Sequence, residues 1–599
     1  MRLFQVWIII GSLSNFASTV RGAQPVNNGN AVLESFFSDY LEAAFRLEPM
    51  MATRLGDHRF DADLDDLSAP ARKAILEHDR TTLADLAKKV NVRNLPRDGQ
   101  IDYEIFRKYL ERNIWLSETF HPFEDDPRIY GSYITESVYL LLTQSSLPLE
   151  VNKKNALARM AKIPQVIDIA RSTIKNPPRV KVETAIRQTE GAIGFYSSEL
   201  FQLAGQKPNH DEMSLKAERI VAALNRHLAY LKDDVLPHST DEWRIGPSRY
   251  ARKLELELDA GLSADEVLAE AEREAARVES EMAIVARQMW GMIFPGKPLP
   301  IDDPKPRRIM IQQVLDEVAN HHGTANSLVA DVRGTVGEIK TFITTHKILP
   351  LIEPDKCRIV LMPEFLRGNS VAYLNPAPPL DIRGSSEYAI SPPPRDWPTP
   401  RAESYFREYN RSMLRILTIH EAYPGHYVQL EYSNRCPSLI RRVLSSGTFA
   451  EGWAVYTEQM MLDQGFGQGD LGLRLQQLKF YLRAVVNAIL DHRMHAGKMS
   501  DAEAMELLVG RAFQTEGEAV GKIIRAKQSS CQLSTYFVGR TAFYRLRQQV
   551  QRALGDRFDL SGYHEAVLSH GTIPVKYLPE LVSKSLGLPE EDNKNHASL

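Results

Sequence analysis

The sequence predicts a mainly α fold with one small β-sheet, and three observations support this prediction. Apolar residues recur at spacings of three and four through most of the 599 residues, which is typical of amphipathic helices. Hydrophobic residues make up 43% of the chain and charged residues 25%, as in ordinary globular proteins. The helical pattern stops only between residues 356 and 397, where short β-type runs replace it.

The helical periodicity marks a series of segments along the chain. The segment that begins at Ser263 carries Asp265 and Glu266 in its first turn, as a capped helix start should. The clearest predicted helices cover residues 31–45, 101–115, 154–174, 263–292, 308–346, 403–421, 471–495 and 535–554.

The predicted sheet comes from three runs rich in β-branched and aromatic residues, "CRIVLMPEF", "SVAYLNP" and "EYAIS". The proline-rich stretch that follows, residues 392–401, should not be helical and should lead into the helix that carries His420. A sheet edge at this place could hold an extended peptide by main-chain hydrogen bonds.

Charge and the N-terminus restrict the possible partners and the location. The net charge is -3 and basic residues are scattered, so neither nucleic acid nor an anionic membrane is an expected partner. Residues 1–22 resemble a secretory signal peptide, with Arg2, an apolar stretch over 3–13 and a small-residue site at 20–22. An uncleaved anchor is the alternative, but no stretch is long enough for an integral membrane span. We therefore expect a periplasmic or secreted protein, and the sequence does not select an oligomeric state.

The three cysteines, Cys357, Cys436 and Cys531, are too few and too far apart for a disulfide framework or a thiolate metal site. One bridge is possible in an oxidising compartment, although the sequence does not select the pair. Buried apolar thiols are the favoured interpretation.

The stretch "LTIHEAYPGHYVQLE", residues 417–431, contains the strongest chemical signal. In the HExxH pattern two histidines one helical turn apart bind zinc, and the glutamate between them acts as the base. Here His420 and Glu421 are present, but the next histidine, His426, is six residues from the first. On an unbroken helix that separation would point the two rings apart.

The dipeptide Pro424-Gly425 offers a way to restore the site. Proline removes an amide and clashes with the preceding turn, and glycine accepts unusual backbone angles. A widened or broken turn could thus bring His426 back towards His420. A histidine on an apolar helix face is more often a core residue, but the combination of residues here predicts a metal site.

A third ligand should come from a separate segment. Glu451 in "GTFAEGWAVYTEQM" is the best candidate, 25 residues after His426 and near the start of another helix. Two imidazoles and one carboxylate leave one position open, as a catalytic zinc requires. Glu458 could support a ligand or be a solvated carboxylate, and the second interpretation is slightly favoured.

The motifs "HEAYPGHYVQ", "EGWAVYTE", "RAVVNAILDHRMH", "STYFVGR" and "YHEAVLSHGTIP" resemble those of the bacterial family called domain of unknown function 885, whose members are similar to zinc metallopeptidases. The resemblance implies a zincin-like helical scaffold with one zinc ion per chain on His420, His426 and Glu451, and Glu421 as general base. It also implies that residues 23–355 form one side of a cleft and that residues 356–599 form the catalytic region.

A peptidase also needs donors for the developing oxyanion and groups that hold the substrate. Asp491 and His495, one turn apart, could orient a ligand or pair with each other. The catalytic candidates besides Glu421 are Tyr536 and His564, and the substrate-binding candidates are Tyr373, Arg525, Arg540 and His570.

The leading functional hypothesis is a zinc peptidase that hydrolyses peptide bonds, with oligopeptides as substrates. A zinc-dependent hydrolase of another amide or ester would have the same ligands and stays open. A non-catalytic binding protein with a degenerate site is the third hypothesis, and the intact Glu421 argues against it.

Overall fold

The computed structural model describes residues 28–362, 372–395 and 397–589, and the predicted signal peptide lies outside these ranges. The described chain is mainly α-helical with one three-stranded sheet, which confirms the predicted fold class. The helices before the sheet are α1 (Asn28–Leu47), α2 (Pro49–Leu55), α3 (Ala69–Lys89), α4 (Arg97–Thr119), α5 (Pro122–Asp125), α6 (Ile129–Gly131), α7 (Ser137–Thr143), α8 (Leu149–Thr173), α9 (Arg179–Gly194), α10 (Leu200–Leu203), α11 (Glu212–Tyr230), α12 (Pro247–Leu258), α13 (Ala264–Ile293), α14 (Pro304–Val318) and α15 (Leu328–Thr345).

The helices after the sheet build the candidate site. They are α16 (Thr399–Glu408), α17 (Arg411–Glu421), α18 (His426–Asn434), α19 (Leu439–Val443), α20 (Gly447–Asp463), α21 (Leu471–His495), α22 (Asp501–Met505), α23 (Glu516–Gln528), α24 (Thr535–Leu554), α25 (Leu560–Leu568) and α26 (Leu578–Ser585). Two of the predicted ranges, 471–495 and 535–554, match α21 and α24 at both ends.

The sheet consists of the three predicted strands, β1 (Cys357–Leu361), β2 (Ala372–Asn375) and β3 (Ser386–Ile390). Its order is β1-β3-β2, with β1 parallel and β2 antiparallel to the central strand. In the described part of the chain, β2 is therefore an edge strand. The hydroxyl of Tyr388 on β3 lies 3.2 Å from that of Thr418 on α17, so the sheet packs on the helix that carries His420.

Two segments that were each predicted as one continuous helix are interrupted in the structure. The predicted helix 308–346 is two helices, α14 and α15, separated by a turn region around His322 and Gly323. The predicted helix 403–421 breaks at Asn410, whose side chain accepts a hydrogen bond from the Met413 amide and caps α17. The proline-rich stretch 392–401 also ends inside a helix, because α16 begins at Thr399.

The main hydrophobic core joins early and late parts of the chain. Phe37 of α1 and Phe106 of α4 are fully buried in the same cluster as Trp453 of α20 and Phe543 of α24. A second cluster lies between α13 and α21, and a third covers α7 to α11. Residues on both sides of position 355 thus share one core, which fixes the helices around the candidate site.

The described helices include none with the length and apolar character required to cross a bilayer. All three cysteines are free thiols, and Cys436 and Cys531 are buried. The favoured interpretation of the cysteines is therefore confirmed for those two.

Candidate metal centre

The HEAYPGH segment forms a break between two helices. α17 ends at Glu421, Ala422 leaves the helical region, and α18 begins at His426. A Cβ on Gly425 would lie 1.9 Å from the carbonyl oxygen of His420, so only glycine fits this turn. The indole Nε1 of Trp453 donates to the carbonyl oxygen of Pro424 at 2.8 Å and fixes the turn from α20. The predicted opening of the helix is confirmed, as a complete break.

The break brings His420 and His426 face to edge, with ring centroids 4.8 Å apart and planes at 86°. Glu451 on α20 completes the group, with Oε2 3.7 Å from Nε2 of His420 and 3.5 Å from Nε2 of His426. One ligand atom from each residue lies within 4.8 Å of the other two. Ligands about 2.0–2.1 Å from a tetrahedral zinc lie roughly 3.3–3.4 Å apart, so the three residues fit such an ion with small adjustments.

The electrostatics of the group favour a bound cation. Burial alone would lower the pKa of His420, but the carboxylates of Glu451 and Glu458 raise that pKa to about 10. Burial would likewise raise the pKa of Glu451, and the two histidines hold it well below its usual value. The carboxylates therefore stabilise positive charge between the two rings, as a divalent-cation site requires.

Glu458 supports His420 directly. Its Oε1 lies 2.7 Å from Nδ1 of His420, and its side chain is fully buried. The slightly favoured expectation of a solvated carboxylate is therefore wrong, because α20 turns Glu458 inwards, two turns after Glu451. The bond leaves Nε2 of His420 directed at the candidate metal position. Burial raises the pKa of Glu458, against the opposing effects of His420 and of the nearby Arg540.

Glu421 lies beside the two histidines at the end of α17. Burial raises its pKa, while the positive charges of His420 and His426 and a backbone hydrogen bond from Leu374 lower it. Leu374 belongs to β2, so the sheet edge adjoins this carboxylate. Glu421 thus lies next to the candidate metal position and accepts a hydrogen bond from the outer edge of β2.

Tyr536 reaches the site because α20 and α24 pack in very close contact. A Cβ on Gly539 would lie 1.9 Å from the carbonyl oxygen of Thr448, and one on Gly452 would lie 2.4 Å from Gly539. Tyr536 is one turn before Gly539, and Glu451 directly precedes Gly452. The negative charge of Glu451 helps to raise the pKa of Tyr536, after the larger effect of burial.

Arg525 also belongs to this wall. Its Nη2 donates to the hydroxyl of Tyr536 at 3.2 Å and to Oε1 of Gln532 at 2.6 Å. The structure therefore brings two of the predicted residues, Tyr536 and Arg525, to the side of the candidate site formed by α23 and α24.

His564 lies elsewhere, in the core behind the site. Its Nε2 lies 2.8 Å from the hydroxyl of Tyr456, and its Nδ1 lies 2.8 Å from the carbonyl oxygen of Ile348. Burial lowers the pKa of His564 to about 3. With both ring nitrogens engaged and no exposed surface, His564 is not placed to touch a substrate. It packs edge-on against Trp453, which holds the HEAYPGH turn.

The remaining predicted substrate residues do not converge on the site either. Arg540 is buried, and its guanidinium lies 4.1 Å from the ring centres of both Tyr481 and Tyr544. His570 contacts Ser585 on α26, at 3.0 Å. The Tyr373 side chain is half-buried towards α7, while its strand passes Glu421.

Asp491 and His495 neither pair with each other nor contact a candidate ligand. The carboxylate of Asp491 accepts hydrogen bonds from the Cys531 amide at 3.1 Å and the Ser534 hydroxyl at 3.2 Å. Nε2 of His495 donates to the carbonyl oxygens of Ala526 and Ser529, at 2.7 and 2.9 Å. The two residues therefore anchor the connection between α23 and α24.

Two residues near the site were missed by the sequence reasoning. Phe480 on α21 lies edge-on to His420, with ring centroids 5.9 Å apart. Lys522 on α23 has its pKa lowered to about 7, mainly by burial and by Arg483, while Glu518 and Glu451 oppose the shift. The helical spacing of Glu518, Lys522 and Arg525 was the available signal for a shared face, but it does not show what that face meets.

A family model matches most of the sequence. Residues 49–582 match the family described as "Bacterial protein of unknown function (DUF885)", and the chain belongs to that family. The expected family membership is confirmed. No protein of curated function matches the chain.

Two solved structures are similar over almost their full lengths. One is described as "a putative lipoprotein of unknown function from Shewanella oneidensis", with 30% identity, a TM-score of 0.75, and coverage of 91% of this chain and 98% of that one. The other is described as "the putative lipoprotein from Colwellia psychrerythraea", with 18% identity, a TM-score of 0.74, and coverage of 93% and 99%. The second likeness supports the fold alone.

Proposed function

We propose that this protein is an exported zinc peptidase that hydrolyses peptide bonds in oligopeptides. The observation that carries the proposal is the convergence of His420, His426 and Glu451, from three helices, with ligand atoms within 4.8 Å of one another. A glycine-specific turn, a buried carboxylate on His420 and a second carboxylate, Glu421, beside the ligands accompany this cluster and support a functional site over a chance one.

The residues divide the chemical work between them. His420, His426 and Glu451 would hold the zinc, which when bound polarises a carbonyl group and acidifies water. Glu421 accepts the proton from the attacking water and delivers it to the leaving amine. The hydroxyl of Tyr536, which lies close enough to Glu451 for that charge to raise its pKa, is the candidate donor to the developing oxyanion.

The sheet edge supports a peptide as the substrate. β2 is an edge strand among the described residues, and its Leu374 amide adjoins Glu421. An extended peptide that adds to this edge would pass directly over the base and the ligands. This arrangement favours peptides over small esters, which have no strand to add.

Export is supported by two independent features. Residues 1–22 have the pattern of a secretory signal. Both similar solved structures are described as lipoproteins, although only the first is similar enough in sequence to bear on this point. A periplasmic or extracellular location would supply oligopeptides as substrates.

The proposal is tested with purified protein, zinc and an oligopeptide library read by mass spectrometry. We expect chelator-sensitive cleavage, and a loss of at least about 100-fold in kcat for Glu421→Gln with zinc content unchanged. The matched control is Glu565→Gln, which replaces an exposed carboxylate on α25 and should leave turnover at the wild-type level. Unchanged turnover in Glu421→Gln would show that Glu421 is not the general base.

Aryl esters and non-peptide amides form a second arm of the same experiment. Chelator-sensitive hydrolysis of these compounds with no peptide cleavage would assign the site to the other hydrolase class. Zinc binding without any turnover would leave a binding protein instead.

A further inference from the structure

The wall of the site formed by α21, α23 and α24 carries more positive than negative charge. On α21 and α23 it contains Lys479, Arg483, Lys522 and Arg525, and the carboxylates that pack against them are Glu518 of α23 and Glu408 of the neighbouring α16. Two of these four basic groups form ion pairs, and two do not.

The paired cations lie deeper in the wall. Nζ of Lys479 lies 2.9 Å from Oε2 of Glu408, and Nη1 of Arg483 lies 3.0 Å from Oε2 of Glu518. The hydroxyl of Tyr409 donates a further hydrogen bond to Glu518 at 2.6 Å. These pairs hold α16, α21 and α23 together and have no charge left for a ligand.

Lys522 and Arg525 form no ion pair with any carboxylate in the described part of the chain. They are three residues apart on α23, so their side chains leave the same face of the helix. Arg525 instead hydrogen-bonds two neutral groups, Gln532 and Tyr536. Lys522 is partly buried and Arg525 is exposed beside it, and an anion held by both groups would favour the charged form of Lys522.

The position of this pair relative to the metal ligands follows from the helix contacts. Phe480 of α21 touches His420, and Arg483, one turn later, stacks on Phe480 with its guanidinium 5.3 Å from the ring centre. Glu518, one turn before Lys522, binds Arg483. On the other side, Arg525 binds Tyr536, which the α20–α24 contact places beside Glu451. Lys522 and Arg525 therefore border the candidate metal centre.

We propose that Lys522 and Arg525 form a subsite for a carboxylate of the substrate, with the Arg525 guanidinium held in place by its hydrogen bond to the hydroxyl of Tyr536. The inference rests on the proposed function, because it describes the substrate class of the same site. Guanidinium and ammonium groups beside a phenol are a donor set suited to a carboxylate. That carboxylate can be the free C-terminus of a peptide or an acidic side chain.

The test compares three peptides of one sequence: the free acid, the C-terminal amide, and an amide with an added internal glutamate. Binding is measured by calorimetry to zinc-loaded Glu421→Gln protein, in which turnover is blocked. We expect the free acid to bind at least about tenfold more tightly than the plain amide. Lys522→Met and Arg525→Gln should each remove most of that preference, and Arg525→Lys should restore part of it.

Lys527→Gln is the matched control. Lys527 lies on the same helix, but its Nζ pairs with Asp501 at 2.6 Å, away from the site. This variant should keep the wild-type preference. Zinc content, measured for every variant, shows whether the fold of the centre is intact.

The three peptides distinguish the source of the carboxylate. If the amide with the internal glutamate binds as tightly as the free acid and loses affinity in the same variants, the subsite binds acidic side chains. Otherwise it binds the C-terminal carboxylate. Two results overturn the subsite. One is equal affinity for the free acid and the plain amide in the protein that keeps Lys522 and Arg525. The other is a preference for the free acid that survives in both Lys522→Met and Arg525→Gln.

Failure of the subsite and failure of the peptidase proposal give different results. Peptide cleavage by the wild type without a carboxylate preference refutes the subsite and leaves the peptidase. A preference in binding that depends on Lys522, without cleavage by the wild type, supports the subsite and refutes the peptidase.

Discussion

Replacement of Glu458 tests how the protein orients its first ligand. The carboxylate of Glu458 is fully buried and lies 2.7 Å from Nδ1 of His420. A charge-assisted hydrogen bond of this kind contributes about 1.5–3 kcal/mol. Partners that orient a metal-bound histidine typically affect metal affinity by about 10–100-fold, or about 1.4–2.7 kcal/mol. The two ranges agree.

We therefore expect Glu458→Gln to weaken zinc binding by about tenfold, because the amide oxygen can still accept from Nδ1 but carries no charge. Glu458→Ala should weaken zinc binding by about 100-fold, the upper end of that range. The assay is a competitive titration with a chromophoric zinc chelator. Asp463→Asn, at the exposed end of the same helix, is the control and should stay within twofold of wild type.

Unchanged zinc affinity in both Glu458 variants, with the fold intact, would refute this reasoning. It would mean that His420 holds its orientation by packing alone. A solvated Glu458, which the sequence slightly favours, would instead give a Glu458→Gln variant with little effect on zinc affinity, so the measurement also separates the sequence-based and structure-based accounts.

Two further predictions concern the helix packing and the buried histidine behind the site. Gly539→Ala places a Cβ against the Thr448 carbonyl, so it should destabilise the protein by at least about 1–3 kcal/mol and weaken zinc binding. Gly191→Ala is the control, because the space around Gly191 is open, and it should neither destabilise the protein nor weaken zinc binding. Equal losses of stability for the two variants in urea titrations would contradict the close packing of α20 and α24. The pKa of His564 is about 3 in the folded protein and 6.5 ordinarily, so between these values only the unfolded chain takes up a proton and stability falls as pH falls. From pH 7 to pH 5 this histidine should account for about 2 kcal/mol, and urea titrations of His564→Asn should show a correspondingly smaller drop than wild type. An equal drop would rule out the buried neutral form.

The sequence predicted those parts of the site that depend on neighbouring residues. The spacing of His420 and His426 around Pro424-Gly425 contains its own solution, because a local break is enough to bring the rings together. The ends of α21 and α24 also matched, with Asp470 capping the start of α21 and Gly555, at a positive φ, ending α24. The three strands followed from composition alone.

What the sequence could not predict depends on contacts between distant segments. Nothing local shows that His564 is enclosed by Tyr456 and the Ile348 carbonyl, so a polar residue in a distinctive motif was assigned to catalysis. Lys522 was missed for the converse reason, because its neighbours on α21 and α24 are remote in sequence. Asn410 was overlooked as a helix cap inside an otherwise continuous apolar pattern.

The most direct test of the central claim is anomalous X-ray diffraction at the zinc edge, from crystals of the zinc-loaded protein. We predict one strong peak per chain with His420, His426 and Glu451 as its protein ligands, at about 2.0–2.2 Å. Glu458 should remain hydrogen-bonded to Nδ1 of His420 and outside the coordination sphere. A peak at any other place, or no peak between the two histidines, would contradict the account.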